Sequence, residues 1–161
     1  MCGIVGCIGK VDARKYCIDG LRKLEYRGYD SAGMAYLCGD KVVVRKVTGR
    51  VDALDTIVPN SLVSSLGIAH TRWATHGQPT SVNAHPHQSN KKLFTIVHNG
   101  VIENFRPLTN QLKARGFSFK SATDTEVIAN LLERFYIRSG SVMEAIAAEY
   151  ADAAEAAGMG R

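Results

Sequence analysis

Apolar and polar residues divide the first third of the chain into short strands and one helix. Residues 4–9 form an apolar run that predicts a short buried strand. Apolar side chains near helical spacing over 12–25 predict a helix that ends around Gly28. The apolar runs on either side of Gly39-Asp40, a two-residue turn signal, predict a β-hairpin.

A long polar loop separates two further strand patterns in the middle of the chain. Residues 66–74 and 93–98 both have the composition of strands. The polar residues 75–92 between them form a connection of a length that usually indicates a functional or a disordered loop. Asn99-Gly100 follows the second strand as a turn.

The last third of the chain predicts three helices and one strand. Two of these helices follow a capping box, in which Ser or Thr precedes Glu by three residues. The predicted elements are a helix over 104–115, a strand over 117–120, a helix opened by Thr123 and Glu126 and ended by Gly140, and an alanine-rich helix opened by Ser141 and Glu144. Because strands and helices are mixed without βαβ alternation, the pattern predicts an α+β layered fold.

Composition indicates one ordinary globular domain. The chain has 161 residues, of which 45% are hydrophobic and 22% charged, enough to form a sizeable core. No apolar run approaches the roughly 18–20 residues of a membrane span, and no charged-then-apolar leader precedes the first strand. We therefore expect a cytoplasmic protein without a membrane partner.

Charge and cysteine usage exclude several classes of protein. The net charge of +5 comes entirely from the first fifty residues, where ten Lys and Arg face five Asp and Glu. These basic residues occur as scattered pairs, which favours a solvated helix face or attraction of small anions over nucleic-acid binding. No GxGxxG or Walker loop is present, so nucleotide binding has no support. The four cysteines lack CxxC spacing, which argues against a disulfide framework or structural zinc site; three are expected to be core thiols: Cys7, Cys17 and Cys38.

Cys2 has two interpretations. A cysteine at the head of an apolar run can simply begin a buried strand. Alternatively, removal of Met1 would leave a free α-amine beside the thiol, and an amine with a pKa of about 7.7–8 can accept the thiol proton.

Polar clusters at predicted strand and helix ends add to the second interpretation. Taken singly, Arg72 could be a surface residue, Asn99-Gly100 a turn and Asp124 a helix N-terminal charge. Together they supply an amide and a backbone N–H for an oxyanion, and an arginine and a carboxylate for the charged ends of an amino acid. His85 and His87 are only a weak signal for a metal site.

Six segments carry a family resemblance: CGIVG, LEYRGYDSAG, HTRWATHG, NAHPH, HNGVIEN and TDTEVI, in that order. They resemble the N-terminal glutaminase domains of the glutamine–fructose-6-phosphate aminotransferase family, class II glutamine amidotransferases within the N-terminal-nucleophile (Ntn) hydrolases. The resemblance runs from Cys2 to about Ile146 and implies a four-layer αββα sandwich. TRWATHG and EYRGYDSAG favour this family over the amidophosphoribosyltransferases.

The resemblance implies a glutaminase site. Cys2 would be the nucleophile with its own α-amine as general base, and Asn99 and Gly100 would form the oxyanion hole. Arg72 would bind the α-carboxylate of glutamine, and Asp124 its α-ammonium group. The substrate is L-glutamine, and the family needs no metal or organic cofactor.

The same resemblance implies four supporting residues. Thr75 and His76 would line the glutamine site, Trp73 would gate the passage of ammonia, and Arg27 belongs to the motif that packs beside the nucleophile.

The family's glutaminase domain is longer than this chain and is followed by a sugar-phosphate isomerase domain that uses the ammonia to make glucosamine 6-phosphate from fructose 6-phosphate. We expect residues 1–161 to be a glutaminase domain whose C-terminal part and isomerase domain are missing, with resemblance lost from about Ala147. Sheet edges left unpaired would favour a homo-oligomer. Two alternatives stay open: the glutaminase domain of another class II amidotransferase, such as an amidophosphoribosyltransferase, and a non-catalytic fragment that keeps the fold.

Overall fold

A computed structural model describes residues 2–74 and 77–148, which divide into two compact units. The first unit comprises the chain up to Pro86 together with Ile96–Asn99. The second comprises His87–Thr95 and the residues from Gly100 onward.

A four-stranded antiparallel sheet forms the first unit. Its strands are β1 (Gly3–Ile8), β2 (Ser31–Cys38), β3 (Lys41–Thr48) and β4 (Leu66–Arg72), in the spatial order β1-β4-β2-β3. β2 and β3 form the predicted hairpin, in which Cys38 pairs with Lys41 across a two-residue turn. Gly39 in that turn has a φ of +58°, a conformation that glycine adopts without strain.

Two helices accompany the sheet. α1 (Ala13–Leu24) begins at Asp12, whose carboxylate accepts a hydrogen bond from the Lys15 N–H at 3.0 Å. It continues into a single 3-10 turn, Glu25–Arg27, and the predicted helix is thus confirmed. α2 (Val51–Ile57) was not predicted from the sequence.

The core of the first unit lies between these helices and the sheet. Apolar side chains at helical spacing in α1 and α2 meet those at alternate positions of β2, as burial of amphipathic elements requires. The buried residues are Ala13, Cys17, Ile18, Leu21, Ala32, Met34, Tyr36, Val51, Leu54, Val58 and Ala69. Gly33 lies on the opposite face of β2, where an added β-carbon would overlap the carbonyl group of His85.

The second unit is mainly helical. It contains α3 (Phe105–Lys113), α4 (Thr125–Ser139) and helical residues over 142–148. α4 ends at Gly140, which adopts the left-handed conformation, as predicted. The core residues are Leu108, Leu112, Val127, Leu131, Phe135 and Ala145. A short two-stranded sheet joins β5 (His87–Gln88) and β6 (Thr95–Ile96), so the strand predicted over 93–98 is reduced to two residues.

The predicted strand over 117–120 is wrong. The N–H of Ser118 donates to the side chain of Asn90 at 3.3 Å, and the N–H of Lys120 donates to the Glu126 carboxylate at 2.9 Å. Side chains therefore take the backbone donors that a neighbouring strand would need.

The capping box at Thr123 is also wrong. α4 begins at Asp124, and the Glu126 carboxylate accepts hydrogen bonds from the N–H groups of Lys120 and Ser121 instead of returning to the helix start. The box opened by Ser141 does form on one side, since its hydroxyl accepts from the N–H of Glu144 at 3.3 Å.

The expectation of three core thiols is confirmed for Cys17, holds in part for Cys7, which packs against the core, and is wrong for Cys38. Cys17 is fully buried, and burial, with the neighbouring Cys7 thiol adding to it, raises its pKa to about 12. Cys7 is half-buried and Cys38 is exposed, because Cys38 lies at the end of β2 beside the hairpin turn.

Candidate functional site: the N-terminal cysteine and its neighbours

Pairing of β1 with β4 fixes the position of Cys2. Gly3 pairs with Thr71, and the Gly3 N–H donates to the Thr71 hydroxyl at 3.1 Å. Cys2 therefore lies beside the last residue of β4 and the start of the loop that follows it. Its half-buried Sγ is 3.1 Å from the backbone nitrogen of Trp73, which donates to it, and 3.6 Å from the Trp73 carbonyl oxygen.

Asn99 contacts the same residue from another segment of the first unit. Its side-chain nitrogen donates to the carbonyl oxygen of Cys2 at 3.3 Å. Its side-chain oxygen lies 2.7 Å from Nε2 of His70, a buried residue of β4. The predicted nucleophile and one predicted oxyanion donor are thus neighbours in the structure.

Arg72 is a buried cation at the end of β4, 4% exposed. Its two terminal nitrogens donate to the carbonyl oxygens of Gly77 at 3.2 Å and Gln78 at 3.4 Å. One terminal nitrogen of Arg72 also lies 3.9 Å from the Asp30 carboxylate. A guanidinium group presents its donors in a rigid fork, and these contacts set the orientation of that fork at the end of β4.

Asp30 connects several parts of this strand end. Its N–H donates to the Arg72 carbonyl at 2.6 Å, and its carboxylate accepts from the Ser31 hydroxyl at 2.7 Å and from the N–H of Ala74. One residue thus holds the strand end that carries Arg72 and the start of the loop that follows it.

Trp73 and the segment after Arg27 also meet. Gly28 has a φ of +100°, and an added β-carbon there would lie 2.5 Å from Cε3 of the Trp73 ring. Arg27 ends the 3-10 turn directly before this glycine. The indole remains half exposed, and the gating role expected of Trp73 stays a prediction.

Two predicted site residues belong to the second unit. Gly100 has a φ of +155°, outside the range that other residues favour. Asp124 is buried at the start of α4, and one of its carboxylate oxygens accepts from the Ile102 N–H at 2.8 Å. Thr75 and His76 lie outside the described residues.

The histidines flanking Pro86 have ordinary partners. Nδ1 of His85 accepts from the His98 N–H at 3.4 Å, and Nε2 of His87 lies 3.1 Å from the Thr123 hydroxyl. Within residues 2–74 and 77–148, no three His, Cys, Asp or Glu side chains are grouped so that they could hold a metal ion. No helix in that part of the chain is long and apolar enough to cross a membrane.

Two residues of this site were not assigned roles from the sequence. Asp30 and His70 both lie inside the family motifs, but their partners are residues 44 and 29 positions away in the chain. Pairing of Ser31 with Arg72 brings Asp30 beside the residues that follow β4, and the His70 contact joins β4 to a residue outside the four-stranded sheet. The signal in the sequence was membership of a polar cluster, since Asp30 follows the first predicted helix and His70 begins the cluster over 70–77.

A family model described as a glutamine amidotransferase domain matches residues 51–147, which include Arg72, Asn99 and Asp124. The chain belongs to the glutamine amidotransferase domain family. The match covers more than half of the chain, although Cys2 lies before it.

Curated relatives narrow the family further. This amidotransferase chain is 50% identical over 147 residues to the glutamine–fructose-6-phosphate aminotransferase [isomerizing] of Clostridium acetobutylicum, and 54% identical over 145 residues to that of Bacillus anthracis. These alignments cover 91% and 90% of the chain but 24% of each relative. The chain thus spans about a quarter of the length of the relatives it matches.

Solved structures confirm the fold class. The amidotransferase chain superimposes on glutamine phosphoribosylpyrophosphate amidotransferase from B. subtilis with a TM-score of 0.74 and 28% identity, covering 92% of this chain and 32% of that one. A structure described as the allosteric regulatory enzyme of purine biosynthesis gives a TM-score of 0.77 at the same identity and coverage. These likenesses confirm the prediction of an α+β fold of the Ntn-hydrolase class.

Proposed function

We propose that this chain is the glutaminase domain of a glutamine–fructose-6-phosphate aminotransferase and that Cys2 is its nucleophile. The observation that carries the proposal is the placement of the half-buried Cys2 thiol. The Cys2 sulfur is 3.1 Å from the Trp73 backbone nitrogen, and the Cys2 carbonyl oxygen accepts a hydrogen bond from the Asn99 side chain. Arg72 lies at the end of β4, the strand that pairs with β1. A thiol with a side-chain amide donor and a buried cation in the same unit is an arrangement that can support hydrolysis of a glutamine amide.

The reaction begins after removal of Met1, which leaves the α-amine of Cys2 free to accept the thiol proton, directly or through a water. The thiolate sulfur attacks the side-chain amide carbon of glutamine, and a carbon–sulfur bond forms while the carbonyl oxygen becomes an oxyanion. The Asn99 side-chain N–H stabilises that charge.

The tetrahedral intermediate then breaks down. The ammonium group of Cys2 returns the proton to the leaving nitrogen, ammonia departs, and a γ-glutamyl thioester remains on the sulfur. Water, deprotonated by the same amine, attacks the thioester and releases glutamate and the free thiol. The sum is glutamine plus water giving glutamate plus ammonia.

Substrate binding is proposed from charge and from the family resemblance. Arg72 is a buried cationic fork suited to the α-carboxylate of glutamine. The roles of Asp124 for the α-ammonium group, of Gly100 for the oxyanion, and of Thr75 and His76 in lining the substrate rest on the resemblance.

The acceptor is proposed from the relatives. Identity of 50–54% to glutamine–fructose-6-phosphate aminotransferases, against 28% to a phosphoribosylpyrophosphate amidotransferase, favours ammonia delivery to fructose 6-phosphate. The partner would be a sugar-phosphate isomerase domain in a cytoplasmic enzyme that makes glucosamine 6-phosphate. Residues 1–161 would supply the ammonia for that synthesis.

Blocking the N-terminus tests this proposal. We expect Cys2→Ala, or an uncleaved N-terminal tag that acylates the Cys2 amine, to abolish release of glutamate from glutamine. Cys38→Ala is the matched control, because Cys38 is an exposed thiol remote in sequence, and it should retain full turnover. Normal turnover by the tagged protein would refute the amine as base, and normal turnover by Cys2→Ala would refute the nucleophile.

A further inference from the structure

We propose that His70 is a positioning residue that fixes the orientation of the Asn99 side-chain amide, so that nitrogen rather than oxygen faces Cys2. The inference deepens the proposed glutaminase function and rests on it for its kinetic consequence. The geometry that carries it lies entirely within the first unit.

The Asn99 amide is bound at both ends. Nε2 of His70 lies 2.7 Å from the side-chain oxygen, and the side-chain nitrogen lies 3.3 Å from the carbonyl oxygen of Cys2. The two ends of an asparagine amide have nearly the same shape, so only hydrogen-bond partners distinguish one orientation from its flipped alternative. The amide nitrogen carries two hydrogens, and the bond to Cys2 needs one of them.

The contact with Asn99 selects the tautomer of the buried His70 ring, which is 1% exposed. An amide oxygen can only accept a hydrogen bond, so the 2.7 Å contact requires the single hydrogen of the neutral ring to lie on Nε2. The Nε2–H tautomer places its only hydrogen toward the Asn99 oxygen.

The His70 ring is also held neutral and held in place. Burial lowers its pKa to about 4, an effect that hydrogen bonds with the Asn99 side chain and the His98 backbone partly offset and that the charge of Arg72 reinforces. The ring stacks on His85 at 4.2 Å between centroids and 14° between planes. His85 is itself fixed by the hydrogen bond from the His98 N–H.

A flipped Asn99 would oppose the reaction. Its oxygen would face the Cys2 carbonyl and the position where the oxyanion develops, and one oxyanion donor would be lost. Since the charge that this donor stabilises exists only in the transition state, loss of His70 should reduce kcat and leave KM nearly unchanged.

Nuclear magnetic resonance of the ¹⁵N-histidine-labelled 161-residue chain tests the orientation independently of activity. At neutral pH we expect His70 to be neutral, with its proton on Nε2. A proton on Nδ1, or a charged ring at neutral pH, would overturn the proposal. This result stands even if the chain fails to hydrolyse glutamine, an outcome that would refute the proposed function instead.

Kinetics of two substitutions test the consequence. For His70→Leu we expect kcat to fall about 10- to 100-fold with KM changed less than about threefold. His70→Gln keeps an N–H donor at the end of its side chain and should recover most of the loss. His87→Leu is the matched control, a buried histidine bound to Thr123, and folded protein should keep its kcat.

A second readout separates positioning from general damage. Alkylation of Cys2 by iodoacetamide needs the thiol but no oxyanion donor, so its rate should be the same in wild type and in both His70 variants. Unchanged kcat in His70→Leu, or failure of His70→Gln to exceed the leucine variant, would overturn the proposal. If His70→Leu does not fold, His70→Gln decides. A kcat of His70→Gln near that of wild type, together with the Nε2–H tautomer in the wild-type chain, supports the proposal. A loss of kcat in His70→Gln as large as about 100-fold refutes it.

Discussion

The two units use their buried polar side chains differently. In the second unit, the Glu133 carboxylate accepts from the Lys91 N–H at 2.9 and 3.1 Å, and the Glu126 carboxylate accepts from the N–H groups of Lys120 and Ser121. These carboxylates fasten neighbouring loop backbone to α4. Each replaces hydrogen bonds that the loop would otherwise make with water.

In the first unit, the buried polar side chains contact one another around a partly exposed thiol. His70 in β4 forms a hydrogen bond with Asn99. Arg72, the last residue of β4, lies near the Asp30 carboxylate. Asn99 in turn holds Cys2 by its carbonyl. The difference teaches that hydrogen bonds from loop backbone to a buried carboxylate, as at Glu133, indicate a structural role, whereas linked polar side chains beside a reactive thiol indicate chemistry.

Glu133→Ala should remove the hydrogen bonds between the Glu133 carboxylate and the Lys91 N–H and produce the largest stability loss among these tests. The substitution leaves the Lys91 N–H without its acceptor and opens a cavity, so we expect the free energy of unfolding to fall by about 3–4 kcal/mol. Urea denaturation measures this. Glu133→Gln, which keeps one acceptor oxygen, should lose less, and the folded alanine variant should retain wild-type kcat. A large kcat loss in fully folded protein would contradict the division between the units.

The pH dependence of the free energy of unfolding tests the buried histidine of the first unit, His70. Burial lowers the folded-state pKa of His70 to about 4, below its ordinary 6.5, so the unfolded chain binds the additional proton between these values. The contribution of His70 is therefore complete above pH 6.5 and is lost as the pH falls toward 4, by about 2–3 kcal/mol. We expect the loss of stability from neutral pH to about pH 4.5 to be smaller in His70→Gln than in wild type, measured by urea denaturation. Equal losses would show that His70 does not titrate in this way.

Arg72→Lys tests the fork at the end of β4. An ammonium group cannot reproduce two parallel hydrogen bonds to a carboxylate, so kcat/KM for glutamine should fall about 10- to 30-fold, mainly through KM. Trp73 is the only tryptophan and lies beside Cys2, so its fluorescence in a Cys2→Ala background offers a direct titration of glutamine binding. Unchanged affinity would show that Arg72 does not bind the carboxylate.

The sequence predicted those elements that are marked by residues within or next to them, such as a helix cap or a turn glycine. α1 has its own cap at Asp12, and the hairpin has a glycine at the turn. α2 was missed because its support comes from elsewhere: the N–H of Val51 donates to the Glu25 carboxylate at 2.7 Å, 26 residues earlier. The strand expected over 117–120 failed for a related reason, since distant side chains bind its backbone.

The same limit applies to the site. The motifs identified Cys2, Arg72 and Asn99 because the family resemblance supplies their roles. The contacts of Asp30 and His70 depend on strand register and on burial, which no spacing along the chain encodes. The capping-box pattern at Glu126 was a local signal that a competing use of the carboxylate overrode.

Lys15→Ala should have the smallest effect. Lys15 forms an exposed ion pair with Asp19 on α1 at 2.6 Å, and this partner raises the pKa of the ammonium group. Exposed pairs of this kind contribute little to stability. We expect no measurable change in the unfolding midpoint or in kcat/KM. A clear loss in either would show that surface charge on the first unit contributes to its function.

The central claim is that Cys2, with a free α-amine, is the nucleophile. Intact mass spectrometry tests this claim most directly, after treatment with a glutamine analogue that carries an electrophilic carbon in place of the side-chain amide. We predict loss of Met1 and one covalent adduct, located on Cys2 by peptide mapping, with the exposed Cys38 unmodified and with excess glutamine protecting the site. Retention of Met1, or an adduct on Cys38 with Cys2 unmodified, would contradict the account.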